Sequence, residues 1–240
     1  MIGLGTIVNT AAVIAGGGVG LLFKKGINDR LQETMIKTLG TATIFIGVSG
    51  TLTEMLTVED GKLTSSGTML MVFSLALGAV IGELLRIEDR MEGLGETLKR
   101  VFRMQGEERF VDAFLTNALV ICVGAMAIVG SLQDGIKGDP SMLYAKAILD
   151  AMISAMFAAA MGIGVLFAAI PLFIYQMGIT LLGTLISGYL SNEIISSMSY
   201  VGSILIFLVG VNLLLGKQIR VGNLLPALVI PIIYGLLPIS

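Results

Sequence analysis

The chain contains no histidine and no tryptophan, has a single cysteine, and carries charge on only 13% of its 240 residues. Without histidine there can be no zinc-protease motif, no His-based triad, no facial-triad iron and no imidazole proton relay. Cys122 excludes an intrachain disulfide, and its setting, Leu119-Val-Ile-Cys122-Val, reads as a small buried hydrophobe rather than a reactive thiol. Soluble chains carry about 25% charged residues, so the shortage of charge argues against a water-soluble domain. The net charge of -2 gives no basic surface for nucleic acid. Nor is there a Gly-Lys-Ser/Thr phosphate loop or an Asp-rich metal pair, so no cofactor, no metal and no catalytic constellation is expected, and the chain does not read as an enzyme.

What is present is long apolar runs. Hydrophobic residues make up 55% of the chain and mean hydropathy is +0.93, which predicts an all-α, polytopic transmembrane bundle whose first partner is the lipid bilayer. Met1-Ile-Gly-Leu-Gly has no positive n-region, so the first apolar run is expected to stay in the membrane. About eight spans are expected: Gly3 to Phe23, Leu39 to Leu56, Gly67 to Leu85, Ala113 to Leu132, Met142 to about Gly164, about Phe167 to Leu190, Met198 to Gly216 and Asn223 to Leu237. From Ala151 to Asn192 no charge occurs, and only Gly162, Gly164 and Pro171 offer places to turn.

Of the 15 basic residues, 12 fall after the first, third and seventh spans: Lys24, Lys25, Arg30 and Lys37; Arg86, Arg90, Lys99, Arg100, Arg103 and Arg109; Lys217 and Arg220. By the positive-inside rule those loops are cytoplasmic and both termini face outward, with the stretch from Asp134 to Ser141 an outside loop. All five tyrosines (Tyr144, Tyr175, Tyr189, Tyr200, Tyr234) are expected near span ends as interfacial anchors. Residues 86–111 mix apolar side chains with both charge signs and predict a linker helix lying on the cytoplasmic surface, weakened by Gly93 and Gly95.

An internal echo suggests organisation within the single domain 1–240. Leu39-Gly40-Thr41 with Ile44-Phe45 resembles Val201-Gly202-Ser203 with Ile206-Phe207, in spans expected to run in opposite directions. Repeats over 1–85 and 167–240 would then be inverted copies, an arrangement that many secondary transporters use.

The polar candidates follow from depth and spacing. Asp139-Pro140 reads as a helix start with an N-cap carboxylate. At about 1.5 Å per residue, Asp150 then lies roughly 15 Å along the helix, near the middle of a core about 30 Å thick. Lys146 stands at i, i+4 from it and can neutralise it. Such charges are costly in a membrane, and they either couple transport or form a self-compensating pair. Asn9 interrupts the Gly-rich first span, where Gly16, Gly17 and Gly18 read as close packing or as a helix break. Glu83 is expected to pair with Arg86, and Asn117, Gln176 and Asn212 to bond between helices. Asn223 opens a last span that Pro226 and Pro231 should kink or interrupt, and Pro171 marks a further expected break.

These residues carry a resemblance. Asn9 in its Gly-rich span, the run Gly138-Asp-Pro-Ser-x-Leu-x-Ala-Lys146-x-x-Leu-Asp150, and Asn223-Leu-Leu-Pro-Ala-Leu resemble the bacterial integral membrane proteins of the YqgA/YdfK type, a family of unknown function, over nearly the whole chain. The resemblance implies the bacterial inner membrane and places Lys146 and Asp150 in a shared pattern. It supplies no substrate. The expected function is a secondary transporter of a small polar solute or ion, with Asp150 as coupling carboxylate, Lys146 as its partner, and Asn9 and Asn223 along the path. A channel and a non-transporting assembly or regulatory protein are the alternatives, and a homo-oligomer is compatible with each.

Overall fold

The computed structural model describes residues 1–24, 28–59, 61–122, 125–186 and 191–235, so Lys25, Tyr189, Leu190 and Leu237 lie outside the described residues. Two compact units emerge. Unit 1 comprises residues 1–39, 91–122 and 126–187, and unit 2 comprises 40–90, 123–125 and 188–240. They divide the chain at other places than the 1–85 and 167–240 repeats.

Unit 1 is built on α1 (Leu4–Lys24), α5 (Phe110–Cys122), α6 (Ala125–Lys137), α7 (Ser141–Met161), the short turn α8 (Gly164–Phe167) and α9 (Ala169–Ile186). The expectation of a break at Gly16, Gly17 and Gly18 is corrected, because α1 runs through them without interruption. Their role is approach: a Cβ on Gly16 would collide with the backbone of Ala151, and one on Gly20 with the backbone of Ala155. Both contacts advance in the same direction along the two helices, so α1 and α7 run parallel with their backbones nearly touching. Gly17 lies against Leu166, and Gly18 has open space around it. Behind this contact Val13, Ala118, Ile121, Ala168, Ala169 and Leu172 form a buried cluster, with Cys122 and Ile153 packed on it.

The start and end of α7 follow from its sequence. Helical geometry begins at Ser141 with Pro140 in the cap position, and Asp139 Oδ1 accepts from both the Ser141 N–H (3.0 Å) and its hydroxyl (2.6 Å). Asp139 therefore steadies the first turn from one residue further out than expected, and these bonds hold its carboxyl below the usual carboxylate range. The helix ends at Gly162, whose φ of +101° lies where L side chains are strained. Pro171 is not a break: it sits in the first turn of α9, where its missing N–H is not needed.

The fourth expected span is two helices, α5 and α6, inclined to one another by 62°. Asp134 is also corrected: α6 continues through it to Lys137, so it belongs to a helix and is fully buried, not to an outside loop.

Unit 2 holds α2 (Asp29–Met55, from Gly40 onward), the hairpin β1 (Leu56–Glu59) and β2 (Lys62–Ser65), α3 (Thr68–Leu85), α10 (Asn192–Leu215), a 3-10 segment (Val221–Leu228) and α11 (Ile230–Gly235). The hairpin was not expected, although Asp60-Gly61 between two short runs of Leu, Thr and Val is a strong turn signal. Leu56 pairs with Ser65 and Val58 with Leu63. The echoing segments pack on one another, with Gly47 against Phe207 and Ser203, and Gly40 against Gly210 and Leu213, so α2 and α10 run antiparallel. Gly78 and Gly82 of α3 meet Ala227 and Asn223 of the 3-10 segment. Two expectations on tyrosine are corrected: Tyr200 is buried against Gly67, and Tyr175 stands well inside α9 rather than at a span end. Between the units in sequence runs α4 (Ile87–Val101), strongly amphipathic, as residues 86–111 predict.

Six helices are long and apolar enough to cross a membrane: α1, α2, α3, α7, Gly164–Gly183 and α10; the bent α5 and α6 pair would make seven. The eighth span is replaced by the 3-10 segment and α11, because Pro226 and Pro231 remove the N–H groups that a continuous α-helix needs. Large apolar side chains such as Ile14, Leu22, Phe73, Leu77, Ile148 and Leu181 are exposed. Acyl chains cover such surface without cost, whereas water would not.

Candidate functional site

Along α7 the side chains of Lys146, Asp150 and Ser154 stand at i, i+4 and i+8 and form one buried stripe in an otherwise apolar helix. The Lys146 and Asp150 side chains are 7% and 5% exposed, with Nζ 2.6 Å from Oδ2 and 2.8 Å from Oδ1. The third ammonium proton goes to the carbonyl oxygen of Ile121 at 2.8 Å. That carbonyl lies in the last turn of α5, where helix geometry leaves carbonyls without partners and the dipole favours a cation. One lysine thus serves the carboxylate on its own helix and the end of another.

Asn9 completes the group from α1. Its Nδ2 donates to Asp150 Oδ2 (2.9 Å) and to Gln176 Oε1 of α9 (3.3 Å). Burying a charge is tolerable only when it is paired and hydrogen-bonded, and Asp150 has both. One turn further along, Ser154 receives the Asn117 amide at 3.0 Å, and the same amide donates to Val165 O at 3.1 Å.

Of the residues expected to act together, Asn9, Lys146 and Asp150 converge in unit 1, joined by Gln176. Asn223 does not join them. It belongs to unit 2, where its Oδ1 accepts the Glu88 N–H at 2.8 Å and its amide donates to Glu83. Glu88 is itself 5% exposed, takes the Gly222 N–H at 2.9 Å and pairs with Lys217 at 2.9 Å. The expected pairing of Glu83 with Arg86 is corrected: its partners are Arg220, at 3.3 Å, and Asn223. Arg86 instead adopts a left-handed backbone at the end of α3, φ 50°, which turns the chain into α4. Asn212, in the last turn of α10, bonds to the loop that follows rather than between helices, donating to Ile219 O and accepting the Gln218 and Ile219 N–H groups.

Sequence reasoning missed a second set of buried polar groups in unit 1: Thr6, Ser131, Asp134 and Thr180, each no more than 2% exposed. The available signal was spacing. Thr6 stands at i, i+3 from Asn9, Ser131 at i, i+3 from Asp134, and Gln176 at i, i+4 from Thr180, so each of three helices presents two polar residues on one face.

Apolar helices enclosing a buried polar constellation define an all-α polytopic membrane bundle. The chain belongs to the family described as Protein of unknown function (DUF554), which matches residues 4–236. It is 31% identical over 227 residues to the uncharacterized membrane protein YdfK of Bacillus subtilis (strain 168), covering 95% of this chain and 93% of that one. It is 29% identical over 231 residues to the uncharacterized protein YqgA of Escherichia coli (strain K12), covering 95% and 94% respectively. No solved structure matches.

Proposed function

We propose that the protein is a secondary transporter of a small polar solute or ion in the bacterial cytoplasmic membrane, with the N-terminus extracytoplasmic, and that it is not an enzyme. The observation that carries this reading is the buried Lys146–Asp150 pair, midway along an apolar helix and linked through Asn9 and Gln176 to two further helices. Charges at such depth are rare in spans and usually mark a solute or proton path. Mechanistically, the Asp150 carboxylate holds three contacts, two from Lys146 and one from Asn9. A proton or solute reaching Asp150 would weaken its hold on Lys146, and the ammonium would then serve chiefly the α5 end. The antiparallel packing of the echoing α2 and α10 segments supports the inverted repeat that transporters of this kind use. The relative named a membrane protein is bacterial, in keeping with this location.

The test is flux. Proteoliposomes on a solid support, challenged in turn with amino acids, small organic acids and inorganic ions, should give a saturable transport current that Asp150→Asn abolishes while the protein remains folded. Non-saturating conductance would favour a channel. Full activity in Asp150→Asn would remove the coupling role.

A further inference from the structure

Asp134 differs from every other acid in the spans of unit 1: it is 0% exposed, and among the described residues no lysine or arginine forms an ion pair with it. Its Oδ2 accepts the Gly5 N–H of α1 at 3.0 Å, while its Oδ1 has no partner. A buried carboxylate with one hydrogen bond and no counter-charge is costly unless something positive joins it.

The surroundings say what that is. Three contacts close a triangle of helices. Asp134 of α6 meets Gly5 of α1, the backbone at Gly135 of α6 lies on the Thr180 carbonyl of α9, and Asn9 of α1 meets Gln176 of α9. On the three helices of that triangle the oxygens Thr6 Oγ1, Asn9 Oδ1, Ser131 Oγ, Asp134 Oδ1 and Thr180 Oγ1 are all buried and unpartnered. The Asn9 orientation is fixed by its amide nitrogen, which is committed to Asp150 and Gln176, so its oxygen is left over. Gln176 Nε2 is the one unpartnered nitrogen of the group and stays outside the ligand set.

We propose that Thr6, Asn9, Ser131, Asp134 and Thr180 bind a dehydrated sodium ion. Hard cations take oxygen ligands, and one carboxylate balances one positive charge, where calcium would call for more acids. Protonation of Asp134 alone would leave the three hydroxyls and the Asn9 oxygen unexplained. Direct backbone contact between α6 and α9 leaves little space, which favours sodium over the larger potassium. Because Asn9 also holds Asp150, the ion would tie α1 to the neighbouring ion pair. The site stands independently of the transport reading and is tested without flux.

The purified full chain, in detergent, is heated in sodium, potassium and N-methylglucamine chloride at equal ionic strength. A saturable rise in Tm with sodium, roughly 5 °C at a hundredfold excess over Kd, is expected, with no rise for the other two cations. Asp134→Asn keeps an acceptor for the Gly5 N–H and should lose the rise; Thr6→Val and Ser131→Ala should each shift half-saturation to higher sodium by about tenfold or more. Equal Tm in all three salts, a response to pH alone, or a sodium effect that persists in Asp134→Asn would overturn the proposal. If Asp134→Asn does not fold, the two hydroxyl variants and saturable binding of radioactive sodium to the unaltered chain decide it: unchanged half-saturation in both variants, or no binding, refutes the site.

Discussion

At the residue scale, the same pair of charges admits two outcomes that mutation separates. Removing Lys146 leaves Asp150 buried with only the Asn9 amide and strips the Ile121 carbonyl of its donor. Lys146→Ala should therefore destabilise the fold by about 3–5 kcal/mol, measurable as a loss of Tm in detergent. The double replacement Lys146→Met with Asp150→Leu removes both charges together and should recover most of that loss, since apolar side chains of similar volume commonly replace a buried pair without penalty. If the double variant is as unstable as the single one, the instability comes from the orphaned Ile121 carbonyl and not from the carboxylate. Lys146 and Asp150 were legible in the sequence because their i, i+4 spacing in an uncharged run is unmistakable. Asp134 was not: Gln133-Asp134-Gly135 followed by Lys137-Gly138 has the composition of a loop, and only the packing of Gly135 on Thr180 shows why a glycine belongs inside that helix. The bonds of Asn223 to Glu88 and Glu83 were not legible for a similar reason, since a polar residue opening an apolar run looks the same whether it lines a path or caps a neighbouring helix.

At the element scale, the glycines of α1 are not interchangeable. Gly20 faces the Ala155 backbone and leaves no room for a methyl group, whereas Gly18 has nothing within 4 Å. Gly18→Ala should be neutral or raise stability by up to about 1 kcal/mol through helix propensity. Gly20→Ala should force α1 and α7 apart and lower Tm clearly, and equal Tm for the two variants would refute the close-packed contact. The Gly16-Gly17-Gly18 run could not be read correctly from sequence alone, because small residues serve close packing and helix breaking alike and only the neighbouring backbone distinguishes them. Hairpin β1–β2 offers a second check. Gly61 has φ +73° with open space around it, so Gly61→Ala is strained by backbone conformation alone and should cost about 1 kcal/mol, read as a small drop in Tm. The proline-bearing last segment was legible as a discontinuity, though its 3-10 form depends on the contacts that Gly78 and Gly82 allow with Ala227 and Asn223.

At the scale of the whole molecule, orientation rests on charge, and charge makes a claim that can be measured. Twelve of the 15 lysines and arginines fall in three short windows, while Lys62, on strand β2, is one of the three that do not. Retention of basic loops on the cytoplasmic side predicts α4 inside and hairpin β1–β2 outside. Both elements suit labelling, since Glu96 on α4 and Lys62 on the hairpin are exposed. After replacement of Cys122 by alanine, a cysteine at position 62 should react in intact cells with a membrane-impermeant maleimide, and a cysteine at position 96 only after the membrane is opened. The opposite pattern would invert the topology and with it the direction in which Asp134 and Asp150 are reached. Reaction at both positions in intact cells would mean that α3 does not carry the chain across the membrane between them. The contrast between the two sites is the decisive reading, because each controls for expression and accessibility of the other in the same cells.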